Sequence, residues 1–240
     1  MLHGATMDMA MFEPQIGTLQ DRFHVLAVDL PGHGQSADIG FSMQNCVDGV
    51  LDILDREGIE SCHLIGQSMG GIVCQLLARQ RPDLALSLTL IGSVPLTAPL
   101  YRLKASAFWL VKLLIRITPL RLNRSLVARS AGALPQTRAY IETCAGRLDR
   151  PALAAIVGEI GRTLKRGAYP VPDSRVLIIY GTQDLIALGL NRLLARRWAS
   201  ALGVRAHRIA KASHNANMDQ PEAVNALILE HLDSGTKIAT

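Results

Sequence analysis

Short, continuous apolar runs recur along this chain, and each of them leads directly into a turn. They cover residues 24–29, 62–66, 86–92, 175–181 and 204–209. Continuous apolarity, in place of strict alternation, is typical of strands that are buried on both faces of a parallel sheet. Helix-like stretches separate the runs. This alternation predicts an α/β fold with a mostly parallel, open sheet flanked by helices and joined by right-handed crossovers.

The helix-like stretches carry their own start and stop signals. Ser42 is placed to cap a helix that runs to about Glu57 and is closed by Gly58. Residues 70–79 and 190–202 have similar patterns. Pro221 fits the first turn of a last helix that ends near Leu232, because proline is favoured at that position.

Positive charge is concentrated in the middle of the chain. Thirteen Lys and Arg residues face only three acidic residues between Pro95 and Pro170, although the whole chain has a net charge of only +5. Residues 101–118 and 136–166 are predicted to be helical, with breaks at Pro119 and Pro135. The uneven charge predicts a separate helical unit inserted between two strands.

Composition excludes several classes of function. Only 4% of the residues are aromatic, and no nucleic-acid motif is present, so a nucleic-acid partner is not expected. The cysteines and the seven histidines lack metal-ligand spacing, and the GHG at residues 32–34 lacks the rest of a dinucleotide fingerprint, so neither a metal nor an organic cofactor is implied.

Nothing at the amino end has the form of a secretion signal. The longest apolar stretch, residues 105–117, is interrupted by Lys112 and Arg116 and is too short for a bilayer that needs about 20 residues. A soluble, cytoplasmic protein with reduced thiols is therefore expected.

A G-x-S-x-G motif centred on Ser68 follows one predicted strand and precedes a helix. In the strand–turn–helix arrangement known as a nucleophile elbow, the serine is exposed at the end of the sheet, and Gly66 and Gly70 let strand and helix approach closely. The helix amino terminus favours the negative charge of a tetrahedral intermediate. The alternative is a glycine-rich turn that only packs a strand against a helix.

A serine nucleophile needs a base, and the base needs a carboxylate to orient it. Among the downstream histidines, His207 lies in a predicted strand and His231 in the last helix, whereas His214 lies in a polar loop after the last strand. Asp184 follows the strand at 175–181. The order Ser68, Asp184, His214 predicts a catalytic triad, although a turn aspartate and an ordinary loop histidine would leave the same pattern.

Four blocks carry a resemblance to the α/β-hydrolase superfamily, especially to its single-domain esterase, lipase and haloperoxidase-like members. They are LHGAT at 2–6, DLPGHGQS at 29–36, GQSMGG at 66–71, and GTQD with SHNANMDQP at 181–184 and 213–221. The resemblance implies a hydrolase core at 1–94 and 173–240, and a helical cap at 95–172. It also assigns the oxyanion hole to the backbone N–H groups of Ala5 and Met69, and a structural role to His3.

One departure from the family pattern lies at the amino end. Family members have two strands before the third, and here LHG matches only the tail of that third strand. The first strands are therefore apparently missing. Because removal of a central strand would leave both neighbouring strands unpaired, we expect the natural polypeptide to begin some tens of residues upstream.

The expected function is that of a serine hydrolase that cleaves an ester-like or related acyl bond of an apolar small molecule. Phe108, Trp109, Leu110 and Leu113 are candidates for the substrate pocket, with ordinary helix packing as the alternative. The same triad would serve a C–C bond hydrolase, an amidase, a peptidase or a perhydrolase, and the same fold would serve a non-catalytic receptor or scaffold.

The basic segment raises a further expectation about partners. Lys104, Lys112, Arg116 and Arg121 lie beside apolar residues and could make weak contact with an anionic membrane, but a merely solvated basic face is the favoured interpretation. The sequence leaves the oligomeric state undecided.

Overall fold

A four-stranded parallel sheet forms the centre of the protein. The computed structural model describes residues 1–96, 107–166 and 174–234. The strands are β1 (Cys62–Gln67), β2 (Ala85–Ile91), β3 (Arg175–Gly181) and β4 (Ala206–Ile209), and they lie side by side in chain order. The parallel, mostly apolar sheet predicted from the sequence is confirmed.

Both faces of the sheet are buried. Along β3, Val176, Ile178 and Tyr180 point to one core, while Leu177 and Ile179 point to the other. All five side chains are at most 9% exposed. Because successive residues of a strand face opposite sides, a strand that is covered on both sides has few positions for charged or large polar side chains, which explains the continuous apolar runs.

Ten α-helices accompany the sheet in the described residues. Helices α1 (Glu13–Leu19), α2 (Met43–Arg56) and α3 (Met69–Gln80) belong to the amino-terminal half. Helices α8 (Leu190–Ala201), α9 (Ala216–Asp219) and α10 (Pro221–Asp233) belong to the carboxyl-terminal part. Ser42 caps α2 by accepting a hydrogen bond from the Asn45 N–H, as predicted.

The described residues between β2 and β3 form four further helices, which are here called the insertion. They are α4 (Ala107–Ile117), α5 (Leu120–Ala131), α6 (Pro135–Gly146) and α7 (Arg150–Arg166). The predicted break at Pro119 separates α4 from α5, and Pro135 begins α6. Helix α4 packs against α7, and α5 packs against α6. Within the described ranges, no helix has the length and apolarity needed to cross a bilayer.

The segment at residues 24–29 does not form the strand predicted for it. Its sheet-like contacts are a parallel bridge between Val28 and Leu2 and a hydrogen bond from the Met1 amino group to Leu26 O. Leu2 forms a second parallel bridge to Gly66 of β1. The backbone of Leu2 donates to Ile65 O at 2.8 Å and accepts from the Gln67 N–H at 3.0 Å. Leu2 therefore occupies a strand position beside β1 and brings the residues after it to the carboxyl end of that strand.

Candidate functional site

The carboxyl ends of the four strands bring together the residues that the sequence singled out. Ser68 follows β1 directly, Gly92 follows β2, Asp184 lies three residues after β3, and His214 lies five residues after β4. In a parallel sheet all carboxyl ends lie at one edge, where sites of open α/β folds form. The strand order therefore gathers residues that are far apart in the sequence.

Ser68 has a strained backbone conformation. Its φ is 49° and its ψ is −110°, and it is one of three non-glycine residues with positive φ in the described ranges. The Ser68 N–H donates to Ile91 O at 2.8 Å, and its carbonyl accepts from the Ser93 hydroxyl at 2.8 Å. These bonds to the neighbouring strand end hold the serine in a conformation that the backbone would otherwise avoid.

Glycines on both sides of Ser68 allow the close packing of this turn. A Cβ on Gly66 would lie 2.5 Å from the backbone of Gly70, and a Cβ on Gly70 would lie 1.9 Å from Leu2 O. No side chain fits at either position. The glycines of the G-x-S-x-G motif are therefore required by the contact between β1, α3 and the amino-terminal segment.

The predicted oxyanion donors lie beside Ser68. Met69 is the first residue of α3, so its N–H lies at the positive end of the helix dipole. A Cβ on Gly4, next to Ala5, would lie 3.5 Å from Ser68 Cβ, so the loop that carries Ala5 passes over the serine. In the part of the chain that the structure describes, neither the Ala5 N–H nor the Met69 N–H donates to a protein group.

Two buried histidines support the loop that carries Ala5. His3 Nε2 accepts from the Leu30 N–H at 2.9 Å, and its Nδ1 bonds to Gly4 O at 2.8 Å. His33 Nε2 accepts from the Thr6 N–H at 3.2 Å. Burial lowers the pKa of His3 to about 4 and also lowers that of His33. Both rings therefore stay neutral, which their acceptor roles require.

His214 and Asp184 form a buried pair. His214 Nδ1 lies 2.9 Å from Asp184 Oδ2, and the two side chains are 6% and 0% exposed. The other carboxylate oxygen, Oδ1, accepts from the Ile186 N–H at 2.9 Å. A carboxylate only accepts hydrogen bonds, so the imidazole carries its proton on Nδ1 and leaves Nε2 as an acceptor. This is the tautomer that a general base needs.

Two neighbours of the serine connect it to His214. The Gln67 side-chain amide donates to His214 O at 3.2 Å. Gly92 comes directly after Ile91, whose carbonyl accepts from the Ser68 N–H. Gly92 also packs against the imidazole of His214, since a Cβ at Gly92 would lie 3.1 Å from His214 Nδ1. Within the described ranges no hydrogen bond joins the Ser68 hydroxyl to the ring, and such bonds often form only with substrate present.

The loop that carries His214 is fastened to the insertion. The Asp219 carboxylate accepts from the N–H groups of Ala133 at 2.9 Å and Ser213 at 2.8 Å, and also from Leu134. The N–H of Asn215 donates to Ala131 O at 3.0 Å. The junction of α5 and α6 therefore fixes the residues on both sides of His214.

A second polar cluster joins the insertion to the amino-terminal loop. The Asp8 carboxylate accepts from the Tyr140 hydroxyl at 2.5 Å and from Arg147 at 2.6 Å. Burial alone would raise the pKa of Asp8, but the hydrogen bonds from Tyr140, Cys144 and Arg147 hold it below its ordinary value. Asp8 therefore ties α6 to the segment that follows Ala5.

Only part of the predicted substrate-binding set can be placed. Phe108, Trp109 and Leu110 lie in α4, but their side chains fall outside the described residues. Leu113, in the same helix, is 37% exposed. Lys104 also lies outside the described ranges, whereas Lys112, Arg116 and Arg121 are exposed.

Two cavities and two buried thiols among the described residues do not belong to this site. Two cavities, of about 320 and 360 Å³, lie away from Ser68, one beside residues 24–28 and the other between α2, α3 and α7. Burial raises the pKa of Cys46 and Cys74 to about 12, so these thiols are unreactive. Among the described residues no cluster of His, Cys, Asp and Glu could hold a metal ion.

Comparison with known proteins gives a family match and several relatives. The sequence model described as "Alpha/beta hydrolase family" matches residues 1–227. A pimeloyl-(acyl-carrier protein) methyl ester esterase of Methylococcus capsulatus is 28% identical over 98% of this chain and 94% of its own length. The dihydrolipoyllysine-residue acetyltransferase component of an acetoin cleaving system of Cupriavidus necator is 28% identical over 96% of this chain, which spans only 62% of that protein.

Solved structures give the same architecture. The enol-lactonase from Burkholderia xenovorans LB400 has a TM-score of 0.80 at 23% identity, over 97% of this chain and 90% of that one. A thermophilic esterase from Thermogutta terrifontis has a TM-score of 0.78 at 22% identity, over 98% and 88% of the two chains. At this level of identity the likeness concerns the fold.

Proposed function

The chain belongs to the alpha/beta hydrolase family, and from that premise we propose that it is a serine hydrolase that cleaves an ester-like acyl bond of an apolar small molecule. The observation that carries the proposal is the buried hydrogen bond between His214 Nδ1 and Asp184 Oδ2, at 2.9 Å, beside a serine in an elbow conformation. Nucleophile, base and orienting carboxylate are the three parts that acyl transfer through a serine requires.

In the first step the Ser68 Oγ attacks the carbonyl carbon of the substrate, and its proton passes to His214 Nε2. The Asp184 carboxylate, which accepts from Nδ1, orients the ring and stabilises the imidazolium. His214 then gives the proton to the leaving oxygen as the carbon–oxygen bond breaks, which leaves an acyl group on Ser68. Water, deprotonated by the same imidazole, releases the acid and restores the serine.

The developing oxyanion would be held by the N–H groups of Met69 and Ala5. Neither group donates elsewhere among the described residues, so both are available without rearrangement. Donors that are fixed before the reaction stabilise the transition state without any reorganisation of the protein, and loss of one such donor typically costs about 100-fold to 1,000-fold in kcat. The bonds of His3 and His33 serve to keep the Ala5 loop in place.

The substrate class is supported by the relatives and by the insertion. One relative is named as a methyl ester esterase and one structural neighbour as an enol-lactonase, and both names refer to acyl–oxygen bonds. We assign residues 95–172 as the cap of this enzyme, because the junction of α5 and α6 contacts the His214 loop. Phe108, Trp109 and Leu110 of α4 would then help to bind an aliphatic group.

The test is covalent labelling with a fluorophosphonate, together with hydrolysis of a short-chain chromogenic ester. Wild type should be labelled once and should hydrolyse the ester, and Ser68→Ala should do neither. Ser61→Ala, which changes an exposed serine just before β1, is the matched control and should behave as wild type. A folded wild-type protein that is neither labelled nor active would contradict the proposal and favour a receptor or scaffold.

A further inference from the structure

Two successive helices of the insertion, α4 and α5, expose an unusual number of apolar side chains. Of the eleven large hydrophobic side chains that are exposed in the described part of the chain, seven lie between residues 111 and 127. They are Val111, Leu113, Leu114, Ile117, Leu122, Leu126 and Val127. Single exposed apolar residues are ordinary, but such a concentration marks a contact surface.

The same two helices carry only positive charge. Residues 107–131 contain five cations and no acidic residue. Four of the cations are exposed and form no ion pair with another described residue: Lys112, Arg116, Arg121 and Arg129. In α4 the cations at positions 112 and 116 lie side by side on the helix, next to the apolar side chains of Leu113 and Ile117, because residues four apart are neighbours.

We propose that the exposed surface of α4 and α5 docks on anionic lipid bilayers. A helix with leucines on one side and cations beside them is suited to lie in the interface, with its apolar side chains at the acyl boundary and its cations at the headgroups. A second copy of this chain is a poorer occupant, because it would bring ten cations together. An acidic protein would pair with the cations but would leave the leucines without a matching surface.

The position of this surface relative to the site gives the docking a consequence. The carboxyl end of α5 is bonded to the loop that carries His214, through Ala131 O and the Asn215 N–H. A bilayer bound to α4 and α5 would therefore lie on the cap that adjoins the site. Apolar compounds held in the bilayer would be at high local concentration there. The docking itself does not depend on hydrolysis.

The test is co-sedimentation with vesicles of phosphatidylcholine, alone or mixed with phosphatidylglycerol. Wild type should bind the anionic vesicles at low salt, lose binding at high salt, and bind neutral vesicles weakly. The triple variant K112Q/R116Q/R121Q should bind the anionic vesicles less tightly by on the order of 100-fold. The matched variant R22Q/R56Q/R81Q removes the same charge from exposed arginines elsewhere and should bind as wild type.

The apolar contribution is tested separately. Leu122→Ser with Leu126→Ser should weaken binding at both salt concentrations, whereas Leu86→Ser with Leu193→Ser, at equally exposed positions, should not. Wild type that stays in the supernatant at low salt would overturn the proposal. Salt-sensitive binding that neither leucine pair affects would also overturn it, because the protein would then be held by charge alone, without apolar side chains at the acyl boundary. A dimer in solution that only the Leu122 and Leu126 changes disrupt, measured by size-exclusion chromatography, would overturn it in favour of a second copy of this chain.

Discussion

The Asp219 carboxylate accepts a hydrogen bond of 2.8 Å from the backbone N–H of Ser213, the residue that precedes His214. The same carboxylate, which is 2% exposed, accepts from the N–H groups at the start of α6. One buried anion therefore joins the loop that carries the proposed base to the insertion. The hydrogen bonds of Asp219 therefore couple the position of the His214 loop to that of the insertion.

Asp219→Asn should lower kcat by on the order of 10-fold to 100-fold. The amide keeps only one acceptor oxygen, so its NH2 group faces at least one of the N–H groups of Ser213, Ala133 and Leu134, and the His214 loop shifts. The free energy of unfolding should fall by about 2 kcal/mol, since hydrogen bonds to a charged group are lost. Steady-state kinetics and urea unfolding measure the two effects. Asp233→Asn, at a half-exposed ion pair, is the control and should change neither.

Asp184→Asn should leave the fold intact and lower kcat about 10,000-fold, because an amide in this position favours the wrong tautomer of His214. Ester hydrolysis and circular dichroism check the two parts of this expectation. Fluorophosphonate labelling should slow in parallel with hydrolysis. A loss of less than about tenfold would mean that Asp184 is a structural turn residue and that His214 is oriented by another group.

Gly92→Ala should reduce activity strongly, since φ at this position is +57° and the new Cβ would lie 2.7 Å from His214 O. Gly49→Ala is the control: a Cβ there meets nothing within 4 Å, and the position is inside α2. That change should raise the free energy of unfolding by about 0.5 to 1 kcal/mol. Equal activity of the two variants would show that the contact between Gly92 and the imidazole of His214 is unimportant for activity.

Acid should destabilise the protein through His3. Its pKa is about 4 in the folded state and 6.5 ordinarily, so between these values the unfolded chain binds more protons. Stability is therefore fully present above about pH 6.5 and falls as the pH is lowered toward 4, by about 3 kcal/mol from this residue. His231, whose pKa burial also lowers to about 4, adds to the same trend.

Urea unfolding at closely spaced pH values measures that slope, and the range above pH 7.5, where these histidines do not titrate, is the internal control. The variant His3→Asn should have a smaller slope between about pH 6.5 and pH 4 than wild type. An unchanged slope would mean that other groups cause the loss of stability. Because His3 supports the loop of Ala5, activity should fall over the same range.

The sequence predicted the strands that are buried on both faces, since their apolar runs directly reflect that burial. Residues 175–181 form β3 with the predicted bounds. The run at 24–29 has the same composition but forms only the bridge at Val28 and one hydrogen bond from Met1 to Leu26 O, because a strand also needs neighbours along its whole length with which to form backbone hydrogen bonds. Composition indicates whether a segment can be buried, but the rest of the fold determines whether it finds a neighbouring strand to pair with.

Ser68, Asp184 and His214 were predicted from their order in the chain and from their positions after predicted strands. Gly92 and Asp219 were missed. Both act through the tertiary contact of backbone groups, and neither residue type at those positions is unusual in a turn or a short helix. Gln67 offered a weak signal, as a polar residue at the end of an apolar strand within the motif.

The backbone conformation of Ser68 lowers the stability of the fold at the residue that carries the proposed nucleophile. At a φ of 49°, backbone strain in a residue that has a Cβ costs roughly 1 to 3 kcal/mol of folding free energy, and glycine would largely avoid this strain. If the Ser68 hydroxyl had no function, replacement of this serine by glycine would raise the free energy of unfolding without any loss. On the proposed function, the single substitution Ser68→Gly would therefore remove the nucleophile and stabilise the fold.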